Sequence, residues 1–185
     1  MVSAFDARLI YIVFVPFGSA HPGPAYEFIE ILPGRNVVAF RTGHPLLRRP
    51  HPQATDLAAY PWIAPLPGSP LMTDLQMILL SIGLSELNIR YSGGSLMSVI
   101  NFLADSEALA VLPFSVVFAL RMDNRVTVLP FAIPQPDRSL GILRRRDGPR
   151  APAAERFVRH VIGVFDDLKH TIQSHENAVV WSSAE

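Results

Sequence analysis

The chain has 185 residues, 49% of them hydrophobic and 17% charged, so it can bury a core and is not a disordered segment. Sixteen Lys and Arg residues balance sixteen Asp and Glu residues, which leaves none of the basic surplus of a nucleic-acid-binding surface. Cysteine is absent, excluding disulfides and thiolate metal sites and agreeing with a reducing compartment.

The apolar run Leu9 to Phe17 is too short to span a membrane, no cleavage site follows a basic segment, and its first part is the continuous stretch Leu9 to Val15. It reads as a strand for the middle of a sheet, and the expected compartment is the cytoplasm. Pro16 to Pro24 reads as a Gly/Pro loop. Tyr26 to Leu32 alternates apolar and acidic residues before a Pro33-Gly34 turn, and Asn36 to Phe40 is a further strand. After the proline- and arginine-rich stretch Leu47 to Ala54, Thr55 is placed to cap a short helix over Asp56 to Tyr60. Trp62-Ile63-Ala64 is a brief strand.

Pro67-Gly68-Ser69-Pro70 combines a glycine turn, a serine N-cap and a proline at the first helical position. The helix after it sets Leu71, Leu75, Ile78, Leu79 and Ile82 on one face, and Gly83 ends it as a left-handed cap. The device recurs after Asn88 to Tyr91. There Ser92-Gly93-Gly94-Ser95 opens a helix with Leu96, Val99, Ile100 and Leu103 at helical spacing. Leu109 to Leu112, closed by Pro113, reads as a buried strand, which makes a strand–helix–strand crossover whose turn sits where such units bind small ligands. Strands follow at Val126 to Leu129 and Leu140 to Leu143. Pro152 starts the longest helix, with an apolar stripe of Phe157, Val158, Val161, Ile162, Phe165, Leu168 and Ile172. Ser174 to Glu185 reads as a frayed tail anchored only by Trp181. Strands alternating with helices predict an α/β fold with a largely parallel sheet.

Several fragments, in this order, resemble one family. These are Asp6-Ala7, Val37 to Leu46 with Gly43-His44-Pro45-Leu46, Asp56-Leu57, Tyr60 to Ile63, Pro67 to Leu71, Leu112 to Val116, Val128-Leu129-Pro130 and Gly141-Ile142 leading to Arg145-Arg146. The family is the effector-binding domain of LysR-type transcriptional regulators, and the likeness runs from about Phe5 to Ile172. It implies an α/β fold like type II periplasmic binding proteins, with two Rossmann-like lobes, the first incomplete. It assigns 1–41 to the end of lobe one and 42–139 to lobe two. Residues 140–173 become the return strand and C-terminal helix of lobe one, and 174–185 a tail. The family's helix-turn-helix domain has no counterpart in these residues, so DNA would be reached only through a domain absent from the chain. The long helix is left short of apolar partners, which predicts an exposed patch and a homo-oligomer. Ser106-Glu107-Ala108 stands where the family often has Gly-x-Gly. That variant resembles a sub-group that includes regulators of sugar and aromatic-acid metabolism.

Ser69 and Ser95 have two readings: they cap helices, or the positive helix ends they cap also hold an anion. The resemblance carries Gly68, Ser69 and Pro70 over as contacts to a small organic effector, an organic acid or a sugar. Gly93, Gly94 and Ser95 are carried over behind them. No cofactor or metal is expected. His170 and His175 are five residues apart, off the spacing of a helical metal pair. Asp166 and Asp167 diverge on a helix. Gly93-Gly94-Ser95 lacks the second flanking glycine of a nucleophile elbow, with Met97 in that place. Arg144-Arg145-Arg146, with Arg150, Arg156 and Arg159, is read as a solvated strand end, because neighbours on a strand face opposite ways. An enzyme is not expected. The rival readings are a transporter's solute-binding protein, which would need an export signal, and an interaction fragment that pairs with full-length regulators.

Overall fold

The computed structural model describes residues 12–18, 23–50, 52–86, 88–130, 133, 138–148 and 151–178. Asp6-Ala7, Arg150 and Trp181 lie outside them. The chain divides into two compact units, Met1–Gly34 with Asp137–Gln173, and Arg35–Pro136 with Ser174–Glu185.

The first unit is built on a three-stranded antiparallel sheet in the order β1 (Ile12–Gly18), β8 (Arg138–Arg145), β2 (Tyr26–Pro33). Two expectations are corrected here. Among the described residues the first strand is an edge strand, not a central one, and it runs on through Pro16 into the expected loop. An edge can accept a proline because the side without an N–H needs no partner. The centre is taken by β8, whose Ile142 is fully buried with Ile31 and with Val158 of the long helix α5 (Pro152–Glu176). Val161, Ile162 and Phe165 pack against this cluster as the stripe predicts. Phe157 instead lies half exposed, edge-on to Phe14 at 6.2 Å. The β-register sets Glu27 opposite Arg144. Arg144 donates through Nε to Glu27 at 2.7 Å and through Nη1 to Glu155 of α5 at 3.0 Å, so one guanidinium ties helix to sheet. Its hydrogen bond to Glu27 holds its pKa above the ordinary value. Arg145 pairs with Asp147, and Arg146 donates to the Tyr26 carbonyl. The arginine triplet is therefore held by internal partners and forms no single patch.

In the second unit β3 (Asn36–Arg41) lies between β6 (Ala110–Pro113) and β7 (Val126–Val128), antiparallel to both. Parallel pairing occurs between β4 (Trp62–Ala64) and β5 (Ile89–Ser92), and at the bridge from Trp62 to Leu109. The expected largely parallel sheet is thus corrected to a mixed one. Alternating helices and strands fix which elements exist, but not the partners to which each strand bonds. The core gathers Phe40, Leu46, Leu57, Trp62, Leu79 and Leu109.

The helices of this unit follow local signals, with departures. Helix α1 (Ala54–Ala58) starts one residue before Thr55. Its cap is Gln53, whose N–H donates to Asp56 at 2.9 Å, and Asp56 also pairs with Arg49 at 2.7 Å. Helix α2 (Pro70–Ser81) buries Leu75, Ile78 and Leu79 but leaves Leu71 exposed, just as α3 (Leu96–Ala104) buries Ile100 and Leu103 and exposes Leu96. Gly83 has φ +83° and ends α2 as expected, with Leu84 N–H bonding back to Leu79 at 2.8 Å. A further short helix, α4 (Phe114–Ala119), occupies a stretch read only as a strand end and a motif. The supposed frayed tail is helical through Glu176: His175 packs on Phe114 and on Phe118, with ring centroids 6.0 and 5.4 Å apart. Burial raises the Glu176 carboxyl pKa, with Arg35 pulling against it.

His44 is fully buried between the rings of Phe40 and Tyr60, with centroids at 4.8 and 4.6 Å. Its Nδ1 accepts from Leu46 N–H at 3.1 Å, which leaves the proton on Nε2, 3.2 Å from the Glu107 carbonyl that accepts it. Burial depresses its pKa, the Glu107 hydrogen bond opposing.

Two predictions follow from this packing. A Cβ at Gly141 would meet the Phe28 ring and the Ile29 carbonyl oxygen at 2.5 Å, whereas one at Gly163 on α5 meets nothing within 4 Å. Gly141→Ala should therefore lose about 1–3 kcal/mol in denaturant unfolding, while Gly163→Ala should gain about 0.4–1 kcal/mol. Because the folded-state pKa of His44 lies below the unfolded value near 6.5, the unfolded chain binds more protons in that window. The stability His44 contributes is complete above about pH 6.5 and falls as pH drops, by at most about 1.4 kcal/mol per pH unit. Melting wild type and His44→Asn from pH 7.5 to 5 should show their difference shrinking as pH falls. A constant difference would mean that the imidazole titrates alike in the folded and the unfolded chain, and a growing one that it is charged in the fold.

Candidate ligand-binding site

The candidate residues fall at the carboxyl ends of two paired parallel strands. β4 leads into Pro65–Ser69 and then α2, and β5 leads into Gly93–Ser95 and then α3. The chain leaves β4 on one side to form β5 and returns on its other side at Leu109, so the order of strands reverses at β4. Open α/β sheets bind ligands beyond the carboxyl ends of strands at such a reversal.

The two turns are joined by specific bonds. Gly93 N–H donates to the Ala64 carbonyl at 2.9 Å, and Ser92 Oγ donates to the Pro65 carbonyl at 3.0 Å. Gly68, Gly93 and Gly94 have φ of +74°, +85° and +88°, a region that disfavours side chains. Gly93 meets a second constraint, since a Cβ there would lie 2.6 Å from Leu66 Cδ2. Gly94 lies against the Tyr91 hydroxyl, and the Tyr91 ring stacks on Phe102 at 5.3 Å.

Both serines cap helices. Ser69 Oγ accepts from Met72 N–H at 3.2 Å with Pro70 at the first helical position, and Ser95 Oγ accepts from Ser98 N–H at 3.2 Å. Ser95 and Ser98 also share a hydroxyl–hydroxyl bond of 3.0 Å. Neither α2 nor α3 has an acidic residue in its first turn, so their positive dipole ends lack local compensation. Asp74, buried one turn into α2, is the nearest carboxylate along that helix. All six sequence-predicted residues are thus assembled on two adjoining turns. Sequence reasoning missed Leu66, Tyr91 and Ser98, whose places depend on pairing β4 with β5 and on the second turn's shape.

Among the described residues no histidine or carboxylate is hydrogen-bonded to the Ser69 or Ser95 hydroxyl. Three groups with displaced pKa values, His44, Arg144 and Glu176, belong to packing elsewhere. Among the described residues no cluster of three or more His, Asp or Glu side chains could hold a metal, and no helix is long and apolar enough to cross a membrane. The arrangement can bind by hydrogen bonds and dipoles.

A family model described as the LysR substrate binding domain matches residues 10–166. Solved structures share the periplasmic-binding-protein-like α/β fold. HinK, a LysR family transcriptional regulator from Pseudomonas aeruginosa, superposes with a TM-score of 0.68 at 18% identity, over 89% of this chain and 55% of that one. The AmpR effector-binding domain from Citrobacter freundii gives 0.64 at 15% identity, over 88% and 78%. The effector-binding domain of QuiR, solved in complex with shikimate, gives 0.67 at 16% identity, over 90% and 77%. This chain therefore spans about half the length of HinK. No curated protein matches it.

If the serines cap as described, Ser69→Ala and Ser95→Ala should each destabilise the chain by about 1 kcal/mol. Restoring a capping oxygen with Ser→Asn should recover most of the loss in denaturant unfolding. Equal stability of all four variants would show that the caps contribute nothing.

Proposed function

Because the chain belongs to the LysR substrate-binding-domain family, we propose that it senses a small organic effector for a transcriptional regulator, binding it against the Gly68-Ser69-Pro70 and Gly93-Gly94-Ser95 turns. The observation that supports this reading is the joining of two serine-capped helix starts beside each other at the reversal of strand order. First-turn amides and the serine hydroxyls would receive a carboxylate or the hydroxyls of a sugar. In this reading the two compact units are the two lobes, with β3 in the second lobe and not at the end of the first.

The action is a population shift with no covalent step. An effector that binds one arrangement of a homo-oligomer better than another changes how the regulator presents its helix-turn-helix domains to DNA. The protein works in the cytoplasm and needs no cofactor. Thermal unfolding against small organic acids and sugars tests the binding step. A compound at a hundred times its Kd should add about 2.7 kcal/mol to stability, and Ser69→Ala should remove that gain. A transition that no compound moves would count against a working site.

A further inference from the structure

We infer that Leu66 selects the effector, favouring an organic acid with an apolar ring over a sugar or a polyhydroxylated acid. The inference rests on the binding site proposed above and asks what its non-polar wall recognises. An exposed leucine alone means little. Leu66 is 61% exposed, yet both turns are built around it. Its carbonyl accepts from Ser69 N–H at 3.1 Å and so closes the first turn. Its side chain lies across Gly93 in the second turn, where even one added carbon would sit 2.6 Å from Cδ2. The neighbouring carbonyls of Ala64 and Pro65 are taken by Gly93 N–H and Ser92 Oγ.

Leu66 is therefore positioned by backbone bonds on one side and by a missing side chain on the other, with its remaining surface open beside the capped helix starts. Water is a poor neighbour for that surface, and an apolar ring face would cover it while the acid group meets the helix ends. A sugar ring or gluconate would bring hydroxyls against Leu66 with no partner for them there.

The test is isothermal titration of the whole chain with benzoate, cyclohexanecarboxylate, shikimate and gluconate. Wild type is compared with Leu66→Ser, with Ser69→Ala and with Leu80→Ser, an equally exposed leucine at the far end of α2. Wild type should bind the apolar-ring acids more tightly than gluconate. Leu66→Ser should weaken benzoate and cyclohexanecarboxylate about tenfold or more while leaving the polyhydroxylated acids, gluconate and shikimate, within about twofold, and Leu80→Ser should change none of them. Melting curves establish that each variant is folded. Uniform weakening of every compound by Leu66→Ser, or tighter binding of gluconate by wild type, overturns the inference. Binding that depends on Ser69 but not on Leu66 overturns it and leaves the site intact. Wild type that binds none of the four overturns the inference and the site together.

Discussion

The second unit depends on three residues, Trp62 to Ala64, that have no freedom left. All are buried, and both edges of this short strand are bonded. Trp62 N–H donates to the Asn88 carbonyl and Ile63 N–H to the Leu109 carbonyl, each at 2.8 Å, while Leu109 N–H returns to Pro61 at 2.8 Å. The indole Nε1 donates to the Leu57 carbonyl at 3.2 Å, so the largest side chain of the core is satisfied as well as buried. With a side-chain period of two, a slip of one residue would turn Trp62 away from Phe40 and Leu57. The register of β4 therefore fixes where Ala64 ends, which fixes where Gly93 can bond, which fixes both turns.

Local chemistry was legible in the sequence, and non-local pairing was not. Ser69, Ser95 and Gly83 occupy the places read for them because caps depend on a few neighbouring residues. That the two serine turns adjoin depends on a bond between residues 27 apart, Ser92 and Pro65, and no local rule reaches that far. The helix α4 was hidden for a different reason. Ala108 to Leu120 is almost unbroken apolar sequence, and in such a run periodicity cannot separate a buried strand from a buried helix. Proline misled in both directions: Pro16 suggested a loop within an edge strand, and Pro113 suggested a stop where the chain turns directly into a helix.

His44 shows why a recognisable motif and its physical role are separate questions. Gly43-His44-Pro45-Leu46 was readable as a family hallmark, but its spacing says nothing about burial. In the fold the imidazole acts as a neutral two-ended connector: one nitrogen accepts from the turn that it starts, and the other donates to the backbone before β6. Arg41, which would disfavour a charged imidazole, pairs with the Glu107 carboxylate at 3.6 Å. A lysine there has no acceptor for Leu46, and a leucine would leave both backbone groups unsatisfied in a dry site.

Capping a helix and the proposed anchoring of a ligand would not compete at the two serines, but they would draw on the same oxygen to different extents. Each hydroxyl has one proton to give and two lone pairs to receive. Ser95 Oγ accepts from Ser98 N–H and also bonds to Ser98 Oγ, so two parts of its capacity are already committed to its own helix. Ser69 Oγ makes its cap to Met72 N–H, and Pro70 after it removes one amide from the competition for acceptors. The asymmetry ranks the turns on physical grounds: the Gly68-Ser69-Pro70 turn has the hydroxyl better able to turn toward a bound oxygen. Gly93 and Gly94 act on these turns chiefly by shape, because the space that they leave is what lets Leu66 and Tyr91 lie where they do.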